Sequence, residues 1–207
     1  MLTIEISINM EIALFIVLFL VTKQIGLYAL FMLFVLIHEL THMIVGISLG
    51  FKPKKIIVMP FGFKIEFKEI EWNKKIELKN AIISFAGPLA NVVILLIAAF
   101  LKLHTNIIYI NLIITLFNLL PIYPLDGGRI LKSILTVKLE NKKVYKIVNR
   151  ISNICIILIT GLSSILILAL KNIHIIWVII YLWYVVIREN RKYKTIKRIY
   201  DVMETNK

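Results

Sequence analysis

The sequence predicts an all-α polytopic membrane protein of about six transmembrane helices, with a small β-hairpin on the cytoplasmic face between the second and third. Three observations carry that expectation. Hydrophobic residues fill 59% of the 207 positions and mean hydropathy is +0.87, well above the share usual in soluble domains. The apolar residues gather into six runs. The basic residues behind the net charge of +13 are divided very unevenly among the connections between those runs.

The first run extends from Asn9 to Thr22 and carries Glu11 near its start. No Lys or Arg precedes it, so Met1 to Met10 does not read as a typical cleaved signal peptide. The second run is Gly26 to Phe51, the third Ala81 to Leu101, the fourth Leu103 to Leu120, the fifth Ile151 to Leu170 and the sixth Ile173 to Ile187. The first and last fall short of the roughly 20 residues that a straight helix needs to cross a bilayer. Lys52 to Lys79 carries eight basic residues, Arg129 to Arg150 seven and Arg188 to Lys207 seven, against only Lys23, Lys102 and Lys171 in the other connections. If all six runs cross, 22 of the 25 basic residues lie on one side, as the positive-inside rule requires, with both termini cytoplasmic. Basic flanks against anionic lipid account for the charge, and no nucleic-acid partner is expected.

Between the second and third runs, Lys55 to Trp72 alternates apolar and polar residues around a Pro60-Phe61-Gly62 turn, the pattern of a short hairpin or sheet patch at the membrane surface. It reads equally as a flap over the span ends or as a strand edge to which an extended peptide could pair. Arg188 to Lys207 reads as a basic helix lying along the membrane. The single cysteine, Cys155, sits in an apolar run, where it reads as a buried, inert thiol.

The chemistry concentrates in the second run. His38-Glu39-Leu40-Thr41-His42 is an HExxH pattern. On a helix, His38 and His42 lie one turn apart on one face, so two imidazoles can converge on one zinc ion, with Glu39 beside them as a base for water. Three ionisable groups within five residues of a membrane helix are expensive and point to function. A catalytic zinc site needs a third protein ligand. The candidate is Asp126 in Asn118-Leu-Leu-Pro-Ile-Tyr-Pro-Leu-Asp126-Gly127-Gly128, on the same side as the HExxH, where two prolines and two glycines suggest unwound backbone around a carboxylate. The other reading of Asp126 is a cap on a helix that starts at Gly127. Asn118 could donate to a substrate carbonyl or its oxyanion, or bond another helix. Asn91, in Phe85-Ala-Gly87-Pro88-Leu-Ala-Asn91, either faces the site or serves helix contact. His104 and His174 flank loops on the opposite side and read as interfacial.

HExxH in one span, Gly-Pro-x-x-Asn in the next and Leu-Asp-Gly ending a later one resemble the site-2 protease family of intramembrane zinc metalloproteases. Within it, His38 to His42, the Pro60-Phe-Gly turn and Asn118 to Gly128 are similar to the stage IV sporulation protein FB group. The resemblance implies that His38, His42 and Asp126 hold zinc, that Glu39 activates water, and that a peptide bond in or near a membrane segment is cleaved. For the sporulation group it implies a membrane-associated pro-sigma factor of the pro-sigma-K type as substrate, with inhibitory membrane proteins as partners. A six-span protease domain over residues 1–190, with its β patch at 55–72, is expected to be followed by a basic tail at 191–207. That leaves no room for the nucleotide-sensing CBS domain of better-known sporulation members, or for a PDZ domain. The alternatives are a site-2 protease that cleaves an anti-sigma factor or other membrane protein, a non-catalytic scaffold with structural zinc, and a transporter. The scaffold would need four protein ligands; the transporter would need a second broken helix in the other half.

Overall fold

The computed structural model describes residues 5–8, 20–21, 23–59, 62–68, 73–170 and 175–205. The elements are β1 (Glu5–Ile8), α1 (Ile25–Ser48), β2 (Pro53–Met59), β3 (Gly62–Phe67), α2 (Lys74–Phe100), α3 (Thr105–Asn118), α4 (Asp126–Lys138), α5 (Asn141–Leu170) and α6 (Ile175–Thr205). They form two compact units, 1–118 and 119–207. The first expected span, apart from Leu20 and Val21, and His174 lie outside the described residues. Among the described residues, α1, α2 and the first 24 residues of α5 are long and apolar enough to cross a membrane, and α3 is a shorter apolar helix of 14 residues. Large apolar side chains such as Ile44, Val93, Phe100 and Leu158 point outward, as a lipid environment allows.

In the first unit, α1, α2 and α3 close around Phe34, Val35, Ile110 and Ile114, with Leu30, Ile37, Ile94 and Ile107 packed against them. Helix α2 starts at Lys74, ahead of the apolar run at Ala81, because Asn73 caps it: its side-chain oxygen accepts from the Ile76 N–H at 2.8 Å, satisfying a donor that the first turn leaves orphaned. Helix α1 ends in a Schellman motif. Gly50 takes φ +92°, its N–H donates to the Ile47 carbonyl at 2.9 Å and the Phe51 N–H to the Gly46 carbonyl at 2.9 Å, so the left-handed residue is the one without a Cβ. Lys79 adds its ammonium to the Leu49 carbonyl at 2.8 Å.

The expected hairpin is present and is part of a larger sheet. β2 and β3 pair antiparallel from Pro53 opposite Phe67 to Met59 opposite Gly62, with a bulge between Pro53 and Lys55; the turn residues Pro60 and Phe61 lie outside the described residues. The N-terminal strand β1 adds to β2 in parallel, Glu5 opposite Lys55 through Ile8 opposite Val58, so the order is β1-β2-β3. Four residues are too few to carry a strand signal, and a parallel partner 50 residues away leaves none in local sequence. The sheet docks on the end of α1. Phe67 packs edge-on to Phe51, ring centroids 5.7 Å apart, and covers Gly46.

The second unit departs from expectation in three places. The segment from Arg129 to Arg150 is not one connection: it contains α4 from Arg129 to Lys138 and the first ten residues of α5. The start of α5 shares one buried face with the apolar run that follows: Val144, Val148, Ser152 and Ile156 form a buried stripe at every fourth position, one face of a helix. The glycines after Asp126 do not unwind the backbone; Asp126, Gly127 and Gly128 are the first turn of α4, and the irregular stretch precedes them. The basic C-terminal segment is continuous with the last apolar run, because no Gly or Pro interrupts Ile175 to Thr205. At about 1.5 Å per residue, α6 is roughly 46 Å long, more than the roughly 30 Å hydrocarbon core. Trp183 Nε1 donates to Thr160 Oγ1 at 2.9 Å and Asn190 Nδ2 to Asn153 Oδ1 at 2.9 Å, tying α6 to α5.

Gly46 makes a test of the sheet–helix contact. A Cβ there would lie 2.5 Å from Phe67 Cζ and 2.7 Å from Cε1. Gly46→Ala is expected to destabilise the detergent-purified protein by about 1–3 kcal/mol through overpacking, and to cost measurably less in a Phe67→Ala background. Denaturant unfolding of the four proteins of that cycle measures the coupling.

Candidate metal centre

The site is built where α1 meets α2. His38 and His42 are one turn apart on α1 and 1% and 4% exposed. Each ring has its outer nitrogen held by α2. His42 Nδ1–H donates to the Ile83 carbonyl at 2.6 Å. Pro88 offers no N–H to the Ser84 carbonyl, which opens the α2 ladder at this turn, and the adjacent carbonyl is the one turned to the histidine. His38 Nδ1–H donates to Asn91 Oδ1 at 2.5 Å. Asn91, fully buried, in turn donates Nδ2–H to Asn111 Oδ1 on α3 at 2.7 Å, and Asn111 donates to the Ile107 carbonyl at 2.8 Å.

With both Nδ1 atoms donating, neutral rings carry their lone pairs on Nε2, and these two atoms face each other 3.1 Å apart. Two lone pairs so placed could both be given to one cation. Metal–nitrogen distances of about 2.0–2.1 Å and a tetrahedral angle put two imidazole nitrogens about 3.3 Å apart, so the spacing suits one zinc-sized ion. The rings stand nearly perpendicular, at 88°. The half-buried Glu39 completes a group in which one ligand atom each from His38, Glu39 and His42 lie within 4.8 Å of one another. Hydrogen bonds from the outer nitrogens are the usual way a protein fixes the tautomer and orientation of metal-binding histidines.

Gly87 makes room for the rings. A Cβ at this position would overlap His42 Nε2 and lie 2.6 Å from His42 Cε1 and 2.7 Å from His38 Cε1. The Gly-Pro-x-x-Asn stretch thus provides, in order, the space, the opened ladder and the acceptor for His38.

Asp126 lies in the second unit, in the first turn of α4, 5% exposed, with Arg129 Nη1 4.0 Å from its Oδ1. It does not cap a helix starting at Gly127: Leu125 is the cap residue and no side chain closes it. The carboxylate gains from the positive end of α4. The two glycines let that helix start fold tightly against its own lead-in, because a Cβ at Gly127 would overlap the Leu119 carbonyl and one at Gly128 would overlap Tyr123 N. Ile122 is fully buried and the Tyr123 N–H donates to Ser152 Oγ at 3.0 Å, so the stretch is tethered to α5. Asn118, at the end of α3, donates Nδ2–H to the Ile114 carbonyl at 3.1 Å, within its own helix. His104 is exposed and accepts from the Asn106 N–H at 3.3 Å, bracing the start of α3.

Asn111 escaped the sequence reading. The signal was available: Asn111, Thr115 and Asn118 recur at i, i+4 and i+7 on an otherwise apolar helix, a polar stripe on one face.

The sequence profile of peptidase family M50 matches residues 26–106 and 100–159, well over half of the chain, including all of this site. The chain belongs to peptidase family M50. It is 34% identical over 178 residues to a zinc metalloprotease of Methanocaldococcus jannaschii, covering 80% of this chain and 49% of that one. It is 32% identical over 139 residues to stage IV sporulation protein FB of Bacillus subtilis, covering 63% and 47%. Among solved structures, the site-2 protease from Methanocaldococcus jannaschii superposes with a TM-score of 0.68 at 25% identity, covering 91% of this chain and 92% of that one. The chain spans about half the length of the curated relatives it matches. The family assignment and the helical fold with its small sheet accord with the sequence expectation.

Gly87→Ala is expected to keep the helical content of this M50 protein and to weaken zinc binding by at least about 10-fold, the lower end of the cost of disturbing the surroundings of a metal ligand. Circular dichroism and zinc content after size exclusion check the two halves of that statement.

Proposed function

We propose that this M50 chain is an intramembrane zinc metalloprotease that hydrolyses a peptide bond in or near a membrane-associated segment. One observation carries the reading: two buried imidazoles with outer nitrogens locked and inner nitrogens 3.1 Å apart, with a carboxylate beside them, on a helix apolar enough to span a membrane. His38 and His42 hold the metal. Asp126 is proposed as the third ligand, supported by the resemblance of Leu125-Asp126-Gly127 and by a carboxylate kept buried at a tethered helix start. When bound, zinc supplies Lewis acidity, polarising the scissile carbonyl and acidifying water. Glu39 takes the proton of the attacking water as the new carbon–oxygen bond forms, and delivers it to the amine nitrogen as the carbon–nitrogen bond breaks. Asn118 retains an amide hydrogen that could serve the developing oxyanion, and the edge of β3 could hold the substrate extended.

The finer reading is a pro-sigma factor of the pro-sigma-K type as substrate, checked by inhibitory membrane proteins, in a six-span arrangement with both termini and the site opening cytoplasmic. The similarity to a sporulation protein supports the substrate and the basic-residue asymmetry supports the orientation. Three candidate ligands with a base beside them favour an enzyme over a scaffold, whose structural zinc would be closed by four.

Co-expression with a tagged pro-sigma-K-type substrate tests this. Wild type is expected to cleave; Glu39→Gln is expected to keep its zinc and lose about 10²–10⁴-fold in rate, the usual contribution of a general base. His42→Ala is expected to lose both zinc and cleavage. Equal processing by Glu39→Gln overturns the catalytic assignment. Cleavage of an anti-sigma factor and not of the pro-sigma substrate replaces the finer reading and leaves the coarser one.

A further inference from the structure

We propose that Asn111, which touches neither metal nor substrate, is a positioning residue that selects the metal-binding tautomer of His38. The inference rests on the metalloprotease reading above and deepens it. It follows from the one-way character of the chain of hydrogen bonds. Ile107 presents a carbonyl, which can only accept, so the amide of Asn111 must turn its Nδ2 toward it. That leaves Asn111 Oδ1 facing Asn91, which must therefore present its own Nδ2. Asn91 Oδ1 is then the atom that meets His38, and the proton of a neutral His38 must sit on Nδ1. Nε2 is left with its lone pair, facing His42 Nε2. The backbone of α3 thus sets the protonation pattern of a ring on α1 through two carboxamides.

Without Asn111 the chain loses its direction. Asn91 is an amide, and either end can meet an imidazole: its oxygen accepts from Nδ1–H, or its NH2 donates to a bare Nδ1. The second arrangement places the proton on Nε2 and blocks coordination there. With Asn111 in place, that reversal sets Asn91 Oδ1 against Asn111 Oδ1 at 2.7 Å, acceptor against acceptor, and turning Asn111 as well moves the same conflict to the Ile107 carbonyl. Both asparagines are fully buried, with no solvent to absorb the mismatch. An aspartate at position 91 has no such ambiguity toward His38, since its oxygens only accept and hold the proton on His38 Nδ1; beside Asn111 it meets the acceptor conflict just described, and a leucine at position 111 removes that conflict.

The experiment is zinc affinity, measured by competition with a chromophoric chelator, on detergent-purified full-length wild type, Asn111→Leu, Asn91→Asp and the double variant. Asn111→Leu is expected to weaken zinc binding by about 10–100-fold, as loss of support around a ligand does. Asn91→Asp combined with Asn111→Leu is expected to bind zinc at least as tightly as Asn91→Asp alone, since the leucine removes the acceptor that faces the aspartate. A loss of helix packing predicts the same weakening in both backgrounds. Affinity unchanged in Asn111→Leu, or a double variant as weak as Asn111→Leu, overturns the proposal. Should Asn111→Leu fail to fold, Asn111→Met fills the space with a flexible side chain, and the same two outcomes decide. Absence of zinc binding by wild type overturns the metalloprotease reading, which the other outcomes leave standing.

Discussion

Two lone pairs held 3.1 Å apart inside an apolar helix pair are the constraint from which the rest of the first unit follows. Each imidazole can present Nε2 inward only if its Nδ1 has an acceptor outward. The acceptors must come from the neighbouring helix, because α1 spends its own carbonyls on itself. The result is two ladders with a four-residue step. On α1 the residues are His38, His42 and Gly46; on α2 they are Ile83, Gly87 and Asn91. His42 meets Ile83 and His38 meets Asn91, so the ladders run antiparallel, with Gly87 between them as the only residue small enough to leave the rings their room. A third ladder on α3, Ile107 and Asn111, ends the sequence at a backbone carbonyl. Gly46 carries the same face of α1 to the sheet, where Phe67 takes the place that a side chain would fill.

The second unit meets a different demand. A carboxylate buried at the start of a helix needs a positive neighbour, and Asp126 has both the amide end of α4 and Arg129. It also needs a backbone that cannot drift. The Gly127–Gly128 pair brings the helix start against residues 119–123, Ile122 is sealed in the core, and Ser152 holds the Tyr123 amide. The glycines are therefore packing residues at a close backbone approach, with no left-handed conformation involved.

What was legible in the sequence follows from how local each signal is. HExxH encodes its geometry within five residues, because helical periodicity alone brings the imidazoles together. The hairpin was legible from alternation and a proline turn. The start of α4 was misread because Gly-Gly is a loop signal unless one knows that a backbone will press against it. The β1 strand was hidden by its shortness and its distant partner, and the continuity of α6 by the change from apolar to basic residues, which marks a solvent boundary and not an end of helix. Asn91 was noticed as a polar residue in an apolar span, but its role depends on Asn111, and hydrogen-bond direction between helices leaves no trace in spacing.

On the metalloprotease reading, the same polarity would make the metal part of the packing. Turning either ring would strand the Ile83 carbonyl or Asn91 Oδ1 in apolar surroundings, at a cost of about 1–3 kcal/mol for each buried partner lost. A cation held by both inner nitrogens would require no such rotation. Binding energy realised only in this arrangement would stabilise it by mass action, and metal affinity and the α1–α2 contact would then be two readings of one free energy. The residues that would make an ion welcome are for this reason not confined to its ligands: Ile83, Gly87, Asn91 and Asn111 would act on it from the outer side of the rings.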